Sequence, residues 1–139
     1  MGSFVFSQAP RNAPPKYEKK TTEMYTASPL EFILAAHGGC LSYMTFFIGK
    51  ELGIDVKGTE IEVTASLDPA KFAGTNRSVR AGYQAVNVNI KVHGDASPDE
   101  LELLKREVET RCPVSDNIAN PTPVNITVSA AQVREAVYA

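Results

Sequence analysis

Apolar residues crowd one segment of this chain and alternate with polar ones in three others. From Ser28 onward, Phe32, Ile33, Ala35, Ala36, Leu41, Tyr43, Met44, Phe47 and Ile48 recur at helical spacing and cover nearly the whole circumference. That pattern predicts a long helix buried on most sides. Ser28-Pro29-Leu30-Glu31 opens it with a capping serine, a proline at the first helical position and an acid three residues after the cap. Gly53 closes it. Gly38-Gly39 sits in its middle, and each glycine costs about 1 kcal/mol relative to alanine there. The pair therefore predicts either a break or very close packing of another backbone.

Thr59 to Leu67 alternates, with Ile61, Val63, Ala65 and Leu67 on one face. Ala85 to His93 does the same through Val86, Val88, Ile90 and Val92, with Asn87, Asn89 and Lys91 turned to solvent or a dimer partner. Both read as half-buried strands, and the polar Asp68–Gly82 stretch between them as a loop. Ser97-Pro98-Asp99-Glu100 repeats the capping pattern of Ser28, and Leu101, Leu104, Val108 and Cys112 follow on one helical stripe. Pro113 ends that helix and opens a short one, Pro113 to Ala119, with Cys112 as its cap. After the turn Asn120-Pro121-Thr122-Pro123, the residues Val124, Ile126, Val128 and Ala130 predict a last strand. Clean alternation and hairpin-length links favour antiparallel pairing, so the expected class is α+β.

The 139 residues fit one domain, with residues 1–20 as an extended arm rich in Pro, Lys and Asn and Lys20–Tyr25 as one edge strand. Fourteen basic and 16 acidic residues give a net charge of -2 without long runs of one sign. Nucleic acid is thereby disfavoured as a partner, because phosphate binding needs a concentrated basic face. Met-Gly-Ser-Phe-Val-Phe does not resemble a secretory leader, and the Phe at position 6 breaks a myristoylation signal. Leu30–Ile48 carries Glu31, His37 and paired glycines and makes a poor membrane span. The expectation is a soluble cytoplasmic protein without a membrane partner, in which the sequons at Asn76 and Asn125 stay idle.

Candidate chemistry rests on two cysteines. A permanent structural disulfide is unexpected in a reducing cytosol, and two buried thiols acting as small apolar residues are the bland alternative. Cys40 follows Gly38-Gly39. If the glycines break the helix, Cys40 lies in the first turn of the second half, where free N–H groups stabilise a thiolate. If the helix runs on, Cys40 is an inert core residue. Cys112, placed before Pro113 at a helix junction, points its sulfur at free N–H groups. His37 and His93 are the only histidines and fit no zinc spacing, so no metal is expected. His37 shares a helical face with Cys40 and is either a thiolate partner or a hydrogen-bonded core residue. His93, Arg77 and Arg80 read as surface groups.

The string Ser28-Pro29-Leu30-Glu31-Phe32-Ile33-Leu34-Ala35-Ala36-His37-Gly38-Gly39-Cys40 resembles the first signature of the OsmC/Ohr family. Gly53-Ile54-Asp55-Val56 is similar to its helix-to-strand passage. Arg111-Cys112-Pro113-Val114-Ser115, followed by Asn120-Pro121-Thr122-Pro123-Val124, resembles its second signature. The likeness spans about residues 28–128. It implies an OsmC-like fold, with a long central helix on antiparallel sheet in an intertwined homodimer. It also implies thiol-dependent reduction of a hydroperoxide, with Cys40 as peroxidatic thiolate, Cys112 as resolving thiol and an external dithiol as reductant in place of a cofactor. Phe32, Leu41, Tyr43, Met44 and Phe47, with His37 beside them, would line a pocket for an organic hydroperoxide, unless that stripe is plain core.

Two departures bear on activity. The Ohr branch carries an acid directly after the first-motif proline, where this chain has Leu30, with Glu31 one place later. Glu31 is the candidate catalytic acid and equally the capping-box acid. Arg11 is the only early arginine that could pair with such an acid and stabilise the thiolate. The chain therefore resembles the general OsmC-like branch more than Ohr. The alternative to a two-cysteine peroxidase is a non-catalytic dimeric binding module on the same fold.

Overall fold

The computed structural model describes residues 28–130. Five elements follow in order: α1 (Pro29–Leu52), β1 (Gly58–Ser66), β2 (Ala85–His93), α2 (Pro98–Arg111) and α3 (Pro113–Ala119). The class is α+β, as the alternation and capping signals predict. The expected arm over residues 1–20, the Lys20–Tyr25 edge strand and Arg11 lie outside the described residues.

Local chemistry sets each boundary. The Ser28 hydroxyl accepts from the Glu31 N–H while the Glu31 carboxylate accepts from the Ser28 N–H, a reciprocal capping box. Ser97 and Glu100 repeat it at the start of α2. Gly53 ends α1 in the left-handed conformation at φ 72°. Pro113 stops α2 and starts α3, with Cys112 in extended backbone between them.

β1 and β2 form a two-stranded antiparallel sheet that pairs Ile61 with Ile90, Val63 with Val88 and Ala65 with Val86. These pairs share one face, and α1 packs on β1. Glu60, Glu62 and Lys91 are exposed. α1 also touches α2 and α3. Leu41, Ile48, Ile54, Leu104, Val108 and Cys112 make the buried core, so the second cysteine is part of it.

Three expectations change. The glycine pair does not break α1, which runs on through all 24 residues. Gly38 faces β1, where a Cβ would meet Val63 Cγ2 at 3.5 Å, an ordinary contact that does not require glycine. Neither glycine meets the expected close backbone approach, since the neighbours of Gly38 are side chains and nothing lies within 4 Å of a Cβ at Gly39. The last strand does not form among the described residues, where 121–130 pair with nothing. Val124, Ile126 and Val128 stay 76%, 83% and 90% exposed, because alternation makes a strand only where a sheet edge and an apolar surface receive it. Finally, α1 is long and apolar enough by length and composition to cross a bilayer, which the reading of Leu30–Ile48 did not anticipate. It packs on β1, α2 and α3, with His37, Leu41, Thr45, Ile48 and Gly49 buried, so the expected burial on most sides is not met within one chain.

Candidate active site

α1 carries Cys40 at mid-helix, and the α2–α3 junction carries Cys112. Because both helices pack on one core, two residues 72 positions apart bring their sulfurs to 3.3 Å. Both cysteines are free thiols. A disulfide needs about 2.05 Å, so a small adjustment separates this pair from a bond. Cys40 is partly exposed, whereas Cys112 is 1% exposed. In the continuous helix Cys40 packs against the core with its sulfur facing the Cys112 thiol.

The two sulfurs sit in different fields. Burial and the Cys112 thiol push Cys40 above the ordinary thiol range, against a smaller opposing effect of the Val114 N–H. Burial also pushes Cys112 up, but the Ser115 hydroxyl, the Ser115 N–H, the Cys40 thiol and the Val114 N–H together outweigh it and leave Cys112 below that range. Either thiol can donate across the 3.3 Å. The opposite directions of the two shifts make Cys112 the more acidic thiol of the pair.

Behind Cys112 lies a second layer. His37, one turn before Cys40 on α1, is 5% exposed and places Nε2 2.8 Å from the Ser115 hydroxyl. Burial holds its pKa below the ordinary imidazole value, so the ring is neutral at neutral pH. Its Nδ1 is buried and has no hydrogen-bond partner among the described residues. His37 is therefore the hydrogen-bonded core histidine of the two readings, and it reaches the thiols through Ser115. Arg111 clamps the same junction. Its guanidinium forms two 2.9 Å hydrogen bonds to the Glu51 carboxylate at the end of α1 and lies over the Phe47 ring. Sequence reading assigned no role to Ser115 or Arg111. The Ser115 signal was available, as a hydroxyl on the third residue of a helix capped by cysteine.

Other sequence-derived candidates are not gathered here. Glu31 serves the capping box, and nine residues of helix place it about 13 Å along the axis from Cys40. It is not among the groups that act on either thiol. Phe32, Tyr43 and Phe47 are 64%, 67% and 49% exposed and do not enclose a pocket, although Tyr43 stacks on Phe47 at 6.1 Å. Met44 packs on the core. Of the six proposed pocket residues, His37 and Leu41 line a large cavity, about 750 Å³ in volume, between α1, β2 and α2. Leu41, Val88, Ile90 and Leu104 supply apolar wall, and Ser115 borders it too. Among the described residues, no cluster of three or more His, Cys, Asp or Glu side chains could hold a metal ion.

Solved structures share this architecture. An OsmC-like protein from Mycoplasma pneumoniae aligns with a TM-score of 0.59 at 19% identity, over 70% of this chain and 68% of that one. An OsmC-like hydroperoxide resistance protein from Jannaschia sp. CCS1 aligns with a TM-score of 0.59 at 12% identity, over 81% and 73%. An organic hydroperoxide resistance protein OsmC from Legionella pneumophila gives 0.50 at 18% identity, over 69% and 64%. At such identities the likeness is one of fold. Among curated proteins, none matches by sequence. The profile of the OsmC-like protein family matches residues 21–127, a span that includes both cysteines, and the chain belongs to that family.

Proposed function

We propose that this protein is a thiol-dependent peroxidase that reduces organic hydroperoxides through a two-cysteine sulfenate/disulfide cycle. The observation that carries the reading is the 3.3 Å separation of two free thiols drawn from distant parts of an OsmC-like fold. Two structural neighbours named as hydroperoxide resistance proteins support it. The cavity beside His37, with apolar wall from Leu41, Val88, Ile90 and Leu104, has room for an organic peroxide, and neither cysteine lines it.

Exposure supports the division of roles. Cys40 is the sulfur a peroxide reaches, and buried Cys112 is the sulfur that resolves. The Cys40 thiolate attacks the peroxide; an S–O bond forms, the O–O bond breaks, and the alkoxide takes up a proton and leaves as an alcohol. Cys112 then attacks the sulfenic sulfur, forming the disulfide and releasing the oxygen as water. A dithiol restores both thiols by two exchange steps, without a bound cofactor. We place the reaction in the cytoplasm and in a homodimer, with neither nucleic acid nor membrane as partner. The net charge of -2 and the mixed surface charge fit that setting.

Purified protein with a dithiol and cumene hydroperoxide should consume peroxide, whereas Cys40→Ser should not. Cys112→Ser should perform one turnover and stall as sulfenic acid. After one equivalent of peroxide, mass spectrometry without reductant should show the wild type two hydrogens lighter. Peroxide loss in the wild type no faster than in Cys40→Ser leaves a binding module and ends the enzymatic reading.

A further inference from the structure

We propose that Arg111 is a positioning residue for the thiol pair: its clamp on Glu51 fixes the α2–α3 junction against α1 and so holds Cys112 within bonding reach of Cys40. The inference rests on the peroxidase reading and deepens it by naming the residue that readies the resolving step.

The junction needs an anchor outside itself. Cys112 stands in extended backbone between two helices, at φ -74° and ψ 113°, and its side chain makes no capping hydrogen bond to α3. Pro113 brings no N–H to either helix. Val108 and Leu104 bury α2 in the core, but they lie about one and two turns before the junction. Arg111 is the last residue of α2 and the immediate neighbour of Cys112.

Its grip has three parts. The two terminal guanidinium nitrogens donate to the two Glu51 carboxylate oxygens at 2.9 Å each, a bidentate pairing that fixes orientation as well as distance. Glu107, one turn back on α2, accepts from the same head at 3.5 Å. The guanidinium carbon lies 5.9 Å from the centre of the Phe47 ring. Phe47 and Glu51 follow Cys40 by about two and three turns of α1, so all three share one face of that helix. Arg111 and Cys112 both meet that face. The sulfur contact and the clamp therefore join α1 to the end of α2 at two levels, with Cys40 and Glu51 about 16 Å apart along the axis.

Two links between the same parts support each other. With the clamp closed, the Cys40–Cys112 bond has little freedom left to remove, and the dithiol is preorganised for it. With the clamp open, the junction gains freedom that the disulfide must take away. In the peroxidase cycle the same placement lets the Cys112 thiolate form the S–S bond at the Cys40 sulfenic sulfur as the S–O bond breaks, and the hydroxide leaves and takes a proton from solvent. Arg111 enters none of these bonds. It acts through the position of Cys112.

The test equilibrates the protein with reduced and oxidised glutathione, without peroxide. The glutathione S–S bond breaks, the Cys40–Cys112 bond forms, and the two protein thiol protons leave on two reduced glutathiones. The equilibrium constant is the effective concentration of one thiol at the other, read by acid quench, alkylation and mass spectrometry. Arg111→Met keeps a stem against Phe47 and loses the fork. It should lower the constant about fivefold, the order expected for one bidentate ion pair at a partly exposed site. Glu51→Ala should lower it by a similar factor, although it removes charge of the opposite sign, and the double variant should lower it no further than Arg111→Met. Lys105→Gln, which breaks the Glu102–Lys105 pair within α2, should leave it unchanged. Thermal melts establish that each variant is folded, and Glu51→Ala, at an exposed position, stays informative if Arg111→Met unfolds. An unchanged constant in folded Arg111→Met or folded Glu51→Ala overturns the proposal. So do single-variant effects of opposite sign, losses that add in the double variant, or an equal loss with Lys105→Gln. Fivefold losses beside inactivity toward cumene hydroperoxide overturn the peroxidase reading alone, and peroxidase activity with unchanged constants overturns this inference alone.

Discussion

Single residues at the thiol pair are set by neighbours that sequence spacing does not display. His37 could be read as a thiolate partner or as a core residue, because helical phase places it on the face of Cys40 without saying what lies opposite. The opposing group is Ser115, contributed by a helix 78 positions away. Burial of His37 also has a consequence for stability. Its folded pKa lies below the ordinary value, so the unfolded chain binds the proton more readily. Stability from this residue is complete above about pH 6.5, where the unfolded histidine is neutral, and is lost as pH falls below that value toward the folded pKa. Urea midpoints should therefore decline between about pH 7 and pH 5 in the wild type. His37→Gln should flatten that decline after correction for the carboxylates that titrate lower. A slope in His37→Gln equal to the wild type would show that the histidine remains hydrated in the fold.

At the level of elements, most of the architecture was legible because it is locally encoded. Two Ser-Pro-x-Glu strings mark two helix starts to the residue, and period-two alternation finds both strands within one residue of their ends. Two features were not legible, for different reasons. The glycine pair in α1 carries no sign of what will lie beside it, and β1 sets Val63 next to Gly38 at ordinary contact distance. The Val124–Ala130 alternation is intact, but a strand is a property of two segments rather than one. The link between β2 and α2 yields a further prediction. Gly94 has φ 154°, and a Cβ there would lie 1.9 Å from the Asp55 carbonyl oxygen. The Lys57 N–H also donates to the His93 carbonyl at 2.7 Å, tying these two links together. Backbone cannot move aside as a side chain can. Gly94→Ala should cost more than about 2 kcal/mol in denaturant unfolding, beyond an ordinary surface substitution. Gly74→Ala, with φ 76° but open space around the Cβ, should cost less and serves as the control.

On the scale of the whole molecule, α1 has apolar residues on more faces than one chain covers. Phe32, Ala35, Ala36, Gly39, Tyr43, Phe46 and Phe47 are all exposed, and they recur at intervals of three and four along one side. The sequence reading of a helix buried on most sides is therefore not met within one chain, where His37, Leu41, Thr45, Ile48 and Gly49 are the buried residues of α1. The stripe has small residues at its middle and aromatics toward both ends. That is the profile of two helices crossing at close range, with Gly39 open to contact, since no atom lies within 4 Å of its added Cβ. A second copy of α1 across a twofold axis would meet the same stripe and cover it, as isologous interfaces require. Sedimentation equilibrium of the 15.0 kDa chain should therefore give twice that mass at micromolar concentration. Burying one such aromatic is worth about 1.5–3 kcal/mol, so two carboxylates in place of two aromatics should weaken the dimer by more than a thousandfold. The variant to make is Phe32→Glu with Tyr43→Glu, because both side chains are more than half exposed in the single chain and neither belongs to its core. It should remain folded by circular dichroism and sediment as one copy. A dimer that survives both substitutions would place the interface elsewhere, and a monomeric wild type would remove the second copy from the account.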